Sequence, residues 1–139
     1  SASMRRRAVR TAARVGRTVQ MGDLDGQRLS LSNHSVDAAV VTFALCSIPD
    51  PLLALRELRR VVRPGGELRV LEHGLAPDAN VATWQRRLEP MERRIADGCH
   101  LTRNPLAFID EAGWHRTATY QAYVAGPKPW SYFTSVRAE

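Results

Sequence analysis

The 139-residue sequence has no long apolar run and only two cysteines, and these absences exclude several classes of protein. No stretch reaches the roughly 18 consecutive apolar residues of a membrane-spanning helix, so we expect no membrane span. Cys46 and Cys99 are too few for the disulfide framework of a small secreted domain. The basic start is not followed by an apolar segment, so we expect no signal peptide and a reducing, cytoplasmic setting.

Lysine and aromatic residues are also scarce, which bears on nucleic-acid binding. The net charge is +6, as in many nucleic-acid-binding proteins, but Lys128 is the only lysine. No aromatic residue interrupts the densest basic run, which consists of Arg5, Arg6, Arg7, Arg10, Arg14 and Arg17. Stacking platforms for single strands need such aromatics, so we do not expect nucleic-acid binding. We interpret the run as a solvated or anion-facing helix.

The remaining composition is that of one folded domain. Hydrophobic residues make up 44% of the chain, which is enough for a core. Ser1, Ala2 and Ser3 are interpreted as a vector-derived scar before a natural initiator, Met4, and are excluded from fold prediction. The single domain is therefore predicted to span residues 4–139.

A strand, a helix and a second strand are predicted in the middle of the chain. Residues 36–43 are nearly all apolar, which is typical of a strand buried on both faces. Asp50 and Pro51 are a favourable N-cap and first residue for a helix. Pro64-Gly65-Gly66 predicts a turn that ends this helix, and residues 67–72 predict the next strand. Together these elements predict a right-handed βαβ unit.

Six further elements complete the predicted fold. They are helices at residues 4–15, 78–97 and 104–112, and strands at residues 18–21, 114–124 and 130–136. Pro90 is expected to kink the second of these helices or to divide it in two. The last two strands are expected to form an antiparallel hairpin with a long connection.

Several segments, taken in order, carry a family resemblance. They are Gly22-Asp23, residues 29–37, residues 42–50, residues 57–66 and Glu72-His73. In this order they resemble the second half of a class I S-adenosylmethionine-dependent methyltransferase, in the branch of quinone-biosynthesis and small-molecule enzymes. Similarity to thiol S-methyltransferase-like proteins comes from Trp84-Gln85, Glu89-Pro90 and residues 97–103.

The resemblance implies an α/β fold with a truncated, Rossmann-like sheet. The strands present would be the third to the seventh of the family, mostly parallel with one antiparallel terminal strand. The family's first two strands carry a glycine-rich loop and an acidic residue that bind the cofactor, and no Gly-x-Gly-x-Gly sequence occurs in this chain. We therefore expect residues 4–139 to be a single incomplete methyltransferase domain, with weak or absent binding of S-adenosylmethionine.

The resemblance also assigns cofactor-binding residues. Asp23 matches the side chain that binds the adenine amino group, and Leu24 matches the neighbouring backbone amide. The floor beneath the adenine and the methyl sulfonium would be formed by Phe43, Ala44, Leu45 and Cys46. The alternatives are that Asp23 is a turn residue and that residues 43–46 pack in the core.

Three residues are candidates for acid–base chemistry: Glu72, His73 and His100. Glu72 and His73 end a predicted strand, where active-site groups gather in α/β sheets. His100 lies in the loop expected to cover the substrate, and a histidine can deprotonate a thiol or amine before methyl transfer. The alternative is that these side chains cap helices or bond to the backbone.

A metal site is the remaining candidate. Its ligands would be Cys46, His73, Cys99 and His100, but no Cys-x-x-Cys or His-x-x-x-His spacing supports it. We therefore expect no metal.

Two functions follow from these observations. The first is transfer of a methyl group from S-adenosylmethionine to a small thiol, amine or quinone-like acceptor. The second is that of a catalytically inactive methyltransferase remnant that acts as a dimerising or regulatory module. In either case the strand at residues 36–43 would be an open apolar edge, and we expect a homodimer or other oligomer to form through it.

Overall fold

A computed structural model describes residues 2–20, 22 and 25–139 of the chain. Within these residues the elements are α1 (Ala2–Arg14), β1 (Val36–Thr42), α2 (Pro51–Val61), β2 (Val62–His73), α3 (Ala79–Ile95), α4 (Pro105–Glu111), β3 (Arg116–Tyr123), α5 (Lys128–Ser131) and β4 (Tyr132–Ala138). None of the helices in this part of the chain is long and apolar enough to cross a membrane.

The four strands form one mixed sheet in the order β1-β2-β4-β3. β1 and β2 are parallel, whereas β4 is antiparallel to both β2 and β3. The prediction of a mostly parallel sheet is therefore wrong, because β4 inserts between β2 and β3 and makes two of the three pairings antiparallel. The predicted antiparallel terminal strand and its hairpin with β3 are confirmed.

The predicted strand at residues 18–21 is not observed. Residues 18–20 are irregular, and Met21 lies outside the described residues. Among the described residues, β1 pairs only with β2, so its other side is an open sheet edge.

The turn predicted at Pro64-Gly65-Gly66 lies inside a strand. β2 follows directly after α2, and these residues form an irregularity in its pairing with β1. The register advances by two residues in β1, from 36 to 38, while β2 advances from 62 to 67. Gly66 is required at this point, because a Cβ there would lie 2.5 Å from the carbonyl oxygen of Asp37.

Pro90 does not divide α3, which runs as one helix from Ala79 to Ile95. The helix is anchored by the buried side chain of Gln85. Its Oε1 accepts a hydrogen bond from the Ala76 backbone N–H (2.9 Å), and its Nε2 donates to the carbonyls of Gly74 (2.9 Å) and Pro129 (3.0 Å). These bonds fix α3 against the chain that leaves β2 and against the start of α5.

The core lies on one face of the sheet. Alternate residues of β1, β2 and β4 point into it and pack with α2 and α4, and the cluster includes Val41, Leu55, Leu68, Ile109, Trp114 and Val136. On the opposite face Val40 is 71% exposed and Tyr120 is 70% exposed. The described residues therefore leave one face of the sheet uncovered.

A charged network joins α2 to the segment that precedes β1. Glu57 Oε1 accepts a hydrogen bond from the Leu29 backbone N–H (2.9 Å) and pairs with the Arg60 guanidinium (2.6 Å). Arg60 also donates to the carbonyls of Leu29 and Leu31 and to the side chain of Asn33. The Arg60 guanidinium and the Leu29 amide lower the pKa of Glu57 to about 2.

Replacing Glu57 by glutamine is expected to lower the Tm at pH 7 by a few degrees. The folded pKa of about 2 lies below the ordinary value of 4.5, so the ionised carboxylate stabilises the fold above pH 4.5. This contribution is lost as the pH falls through the folded pKa. Thermal melts followed by circular dichroism should show the Tm difference shrinking between about pH 4.5 and pH 2. A difference that does not change with pH would contradict the role given to the charge.

Candidate functional site

The chain turns sharply where β1 ends, at the carboxyl edge of the sheet. The Phe43 backbone N–H still donates to the Leu71 carbonyl (3.0 Å), but Phe43 has a φ of 48°, in the left-handed region. Its ring packs edge-on against Phe133, with 5.4 Å between ring centroids, and is 48% exposed. Residues other than glycine hold this conformation where surrounding structure enforces it, often at functional sites.

The side chain of Glu72, in the neighbouring strand β2, holds the chain in this conformation. Its Oε1 accepts hydrogen bonds from the backbone N–H groups of Ala44 (2.5 Å) and Leu45 (2.8 Å). Its Oε2 is buried and has no hydrogen-bond partner among the described residues. Burial raises the pKa of Glu72, and the two backbone N–H groups act in the opposite direction. With 1% of its surface exposed, Glu72 positions the segment after β1 and is shielded from any ligand in solution.

Cys46, His73 and Cys99 come together beside this turn. Their ligand atoms all lie within 4.8 Å of one another, and His73 Nε2 is 3.1 Å from Cys99 Sγ. Burial raises the pKa of the Cys46 thiol, and burial together with the charge of Cys46 raises the pKa of Cys99 to about 12. Burial lowers the pKa of His73. At neutral pH the cluster therefore consists of two thiols and an uncharged imidazole.

His100 follows the cluster and is paired with Glu89 of α3. The distance between His100 Nδ1 and Glu89 Oε1 is 2.9 Å, and Glu89 Oε2 accepts from the backbone N–H (3.0 Å) and the hydroxyl of Thr102. Burial raises the pKa of Glu89, but the hydrogen bonds from Thr102 and His100 outweigh it, so the pKa is lowered. An ionised Glu89 requires the proton of a neutral His100 on Nδ1, which leaves Nε2 as an acceptor.

A cavity of about 620 Å³ lies next to His100. Its lining includes Ser47, Pro90, Arg93, Arg94, His100 and Arg103. Arg103 donates to the carbonyls of Leu45 (2.5 Å) and Ile48 (2.6 Å), so the loop after α3 is tied to the loop after β1. The cationic side chains make the cavity suitable for an anionic ligand or a thiolate.

The structure thus brings together most of the site residues predicted from the sequence. Cys46, Glu72 and His73 meet at the carboxyl edge of β1 and β2, and the His100 backbone N–H donates to the Cys46 carbonyl (2.9 Å). Leu45 belongs to the hydrophobic core. Asp23 and Leu24, predicted to bind the adenine, lie outside the described residues.

Sequence reasoning missed the roles of Glu89 and Arg103. Glu89 is separated from His100 by eleven residues and Arg103 from Leu45 by 58, so no short-range spacing indicates either contact. The available signals were charge and the family resemblance, since Glu89 and Arg103 both belong to segments that resemble thiol S-methyltransferase-like proteins.

Comparison with known proteins gives matches to methyltransferases. The family model described as a methyltransferase domain matches residues 1–70. The thiol S-methyltransferase TMT1B of Rattus norvegicus is 45% identical over 83 residues, which cover 59% of this chain and 34% of that protein. A demethylmenaquinone methyltransferase of Mycolicibacterium paratuberculosis is 32% identical over 120 residues, covering 83% of this chain and 51% of that protein. The chain therefore spans between a third and a half of these two relatives.

Solved structures share the fold. A SAM-dependent methyltransferase from Thermotoga maritima superposes with a TM-score of 0.64 at 18% sequence identity. The match covers 95% of this chain and 68% of that one. At this identity the likeness concerns the α/β fold alone.

Proposed function

Because the chain belongs to the methyltransferase domain family, we propose that it takes part in methyl transfer from S-adenosylmethionine to a small nucleophilic acceptor, with a thiol as the leading class. Membership of the family confirms the prediction made from the ordered segments. The observation that carries the proposal is that His100, which is paired with Glu89 and bonded through its backbone to Cys46, lines the cavity next to the carboxyl edge of the sheet.

The residues at this edge suit the cofactor. Ligands of open α/β sheets bind at the carboxyl ends of the strands, where Phe43 presents a half-exposed aromatic ring suited to an adenine base. When bound, S-adenosylmethionine supplies an electrophilic methyl group. Glu72 holds the backbone of Ala44 and Leu45, and this fixes the surface on which the cofactor would rest.

His100 is the residue that would act on the methyl acceptor. A thiol reacts as its thiolate, and His100 Nε2 is free to accept the thiol proton. Glu89 stabilises the imidazolium that forms, and Arg93 and Arg94 in the cavity wall favour the thiolate. In-line displacement then depends on how well the thiolate is aligned with the methyl group. Both cysteines are free thiols, so a reducing compartment such as the cytoplasm suits the proposal.

The test is a methyl-transfer assay on the purified chain. Radiolabelled S-adenosylmethionine would be incubated with 2-mercaptoethanol at near-millimolar concentrations, and the methylated thiol would be measured. Turnover above that of a Glu89→Gln/His100→Gln double variant is expected. Turnover equal to that of the double variant would favour the second function, an inactive module of the same family.

We also propose that the open edge of β1 pairs with a second copy of the chain. Two observations support this: the edge has no partner strand among the described residues, and Val40 on it is 71% exposed. An exposed, apolar strand edge is a template for pairing.

Replacing Val40 by lysine is expected to weaken this association about tenfold, because a charge on an edge strand disfavours pairing. Sedimentation velocity over a range of concentrations measures the strength of this association. A matched control is Val124→Lys, since Val124 is also exposed but lies outside the strands. A wild-type chain that stays monomeric at every concentration would contradict the proposal.

A further inference from the structure

Two sulfur atoms and one imidazole nitrogen converge from three separate parts of the fold. Cys46 follows β1, His73 is the last residue of β2, and Cys99 lies between α3 and α4. They are 27 and 26 residues apart along the chain, so their convergence within 4.8 Å is a product of the tertiary structure. This donor set of two thiols and an imidazole matches thiophilic metal ions, whereas hard cations prefer oxygen.

We propose that Cys46, His73 and Cys99 form a binding site for a thiophilic divalent metal ion such as Zn²⁺. In a tetrahedral zinc site, with bonds of about 2.3 Å to sulfur and about 2.0 Å to nitrogen, neighbouring ligand atoms lie about 3.5 Å apart. The pair His73 Nε2 and Cys99 Sγ, at 3.1 Å, is close to that spacing. All three ligand atoms lie within 4.8 Å of one another, so the other two separations exceed that spacing by about 1.3 Å at most.

The backbone holds the three residues in place without the metal. The Cys46 carbonyl accepts from the His100 N–H (2.9 Å), and the Cys99 N–H donates to Ala96 (3.0 Å). His73 is paired with Phe133 in the sheet. A site whose ligands are already positioned loses little conformational entropy when it binds an ion.

Buried polar atoms at the cluster lack other partners. His73 Nδ1 and Glu72 Oε2 are buried without a hydrogen bond among the described residues. The ion would bind through Nε2, the ring nitrogen that faces Cys99, and Nδ1 would then carry the ring proton.

Binding of a divalent ion replaces the two thiol protons. The two S–H bonds break, two metal–sulfur bonds form, and two protons leave to solvent. Two thiolates and one dication leave the buried site uncharged, as the two thiols did. Among the described residues three ligands are within reach, so the fourth position is left to water or to a thiol, which is the pattern of catalytic zinc sites.

The experiment is a Co²⁺ titration of the full chain, reduced and stripped of metal, followed by visible and near-ultraviolet absorption. We expect one equivalent to produce the intense bands of a tetrahedral thiolate site, including sulfur-to-cobalt charge transfer, and Zn²⁺ to abolish them. Cys46→Ser, Cys99→Ser and His73→Asn should each lower the Co²⁺ affinity by at least about tenfold. His115→Ala is the matched control, because His115 is exposed and pairs with Glu139 at the end of the sheet opposite to His73.

Two outcomes would overturn the inference. One is a folded wild-type chain that gives no charge-transfer band at millimolar Co²⁺ while its cysteines are reduced. The other is Co²⁺ binding that both serine variants retain, which would place the ion elsewhere. If a serine variant fails to fold, the wild-type charge-transfer intensity still reports how many thiolates bind the ion. The assay involves no methyl donor, so its result is independent of methyl-transfer activity.

Discussion

Replacing Glu72 by alanine is expected to lower the free energy of unfolding by about 2–4 kcal/mol, because one part-buried and one buried backbone N–H group lose their acceptor. Those groups belong to Ala44 and Leu45, which form the turn after β1. Loss of the clamp also frees Phe43 from its left-handed conformation. Ligand binding at this turn should therefore weaken together with stability. Urea unfolding at pH 7 measures the first effect.

The matched variant is Glu72→Gln, which keeps an acceptor oxygen and removes the charge. Burial raises the folded pKa of Glu72 above its ordinary value of 4.5, so the ionised form costs stability as the pH rises through the folded pKa. The glutamine variant should therefore equal the wild type at low pH and match or exceed it at pH 7. An alanine variant as stable as the glutamine variant would show that the clamp has no structural role.

Replacing His100 by glutamine is expected to lower kcat for methyl transfer to a thiol about 100-fold, with little change in KM. The glutamine amide can still donate to Glu89, so the loop keeps its position, but it cannot accept the thiol proton. The measurement is the initial rate with S-adenosylmethionine and 2-mercaptoethanol from pH 6 to pH 10.

The pH dependence of the rate distinguishes a residue that acts as a base from one that only holds the loop in place. Free thiols have a pKa of about 8.5, so the thiolate forms without help at high pH and the difference between wild type and variant should close there. His115→Ala should leave the rate unchanged. An effect confined to KM, or one that is constant across the pH range, would contradict the role of His100 as a base.

Local features of the fold could be predicted where local chemistry decides the structure. Asp50 and Pro51 start α2 as their residue types require, and Asn104 and Pro105 do the same for α4. The antiparallel hairpin of β3 and β4 was also predictable from alternation and a long connection. In each of these cases the deciding contacts lie close together in the sequence.

The features that sequence reasoning missed depend on long-range contacts. The insertion of β4 between β2 and β3 cannot be seen in the strand pattern itself, since edge and central strands can share one pattern. Gly65 and Gly66 have turn chemistry, but their pairing context places them in a strand irregularity. Cys46, His73 and Cys99 could be named from the sequence as possible metal ligands, but their convergence within 4.8 Å depends on the tertiary structure and has no signature in their spacing.

The central claim is that the carboxyl edge of β1 and β2 binds the methyl donor, and one measurement tests it most directly. It is a titration of ¹⁵N-labelled chain with S-adenosylhomocysteine up to millimolar concentration, followed by amide chemical shifts. We predict saturable shifts centred on Phe43, Ala44 and Cys46, and none at Gly65, which lies at the opposite end of β2. Shifts that do not saturate, that centre elsewhere, or that are absent at millimolar ligand would contradict the account.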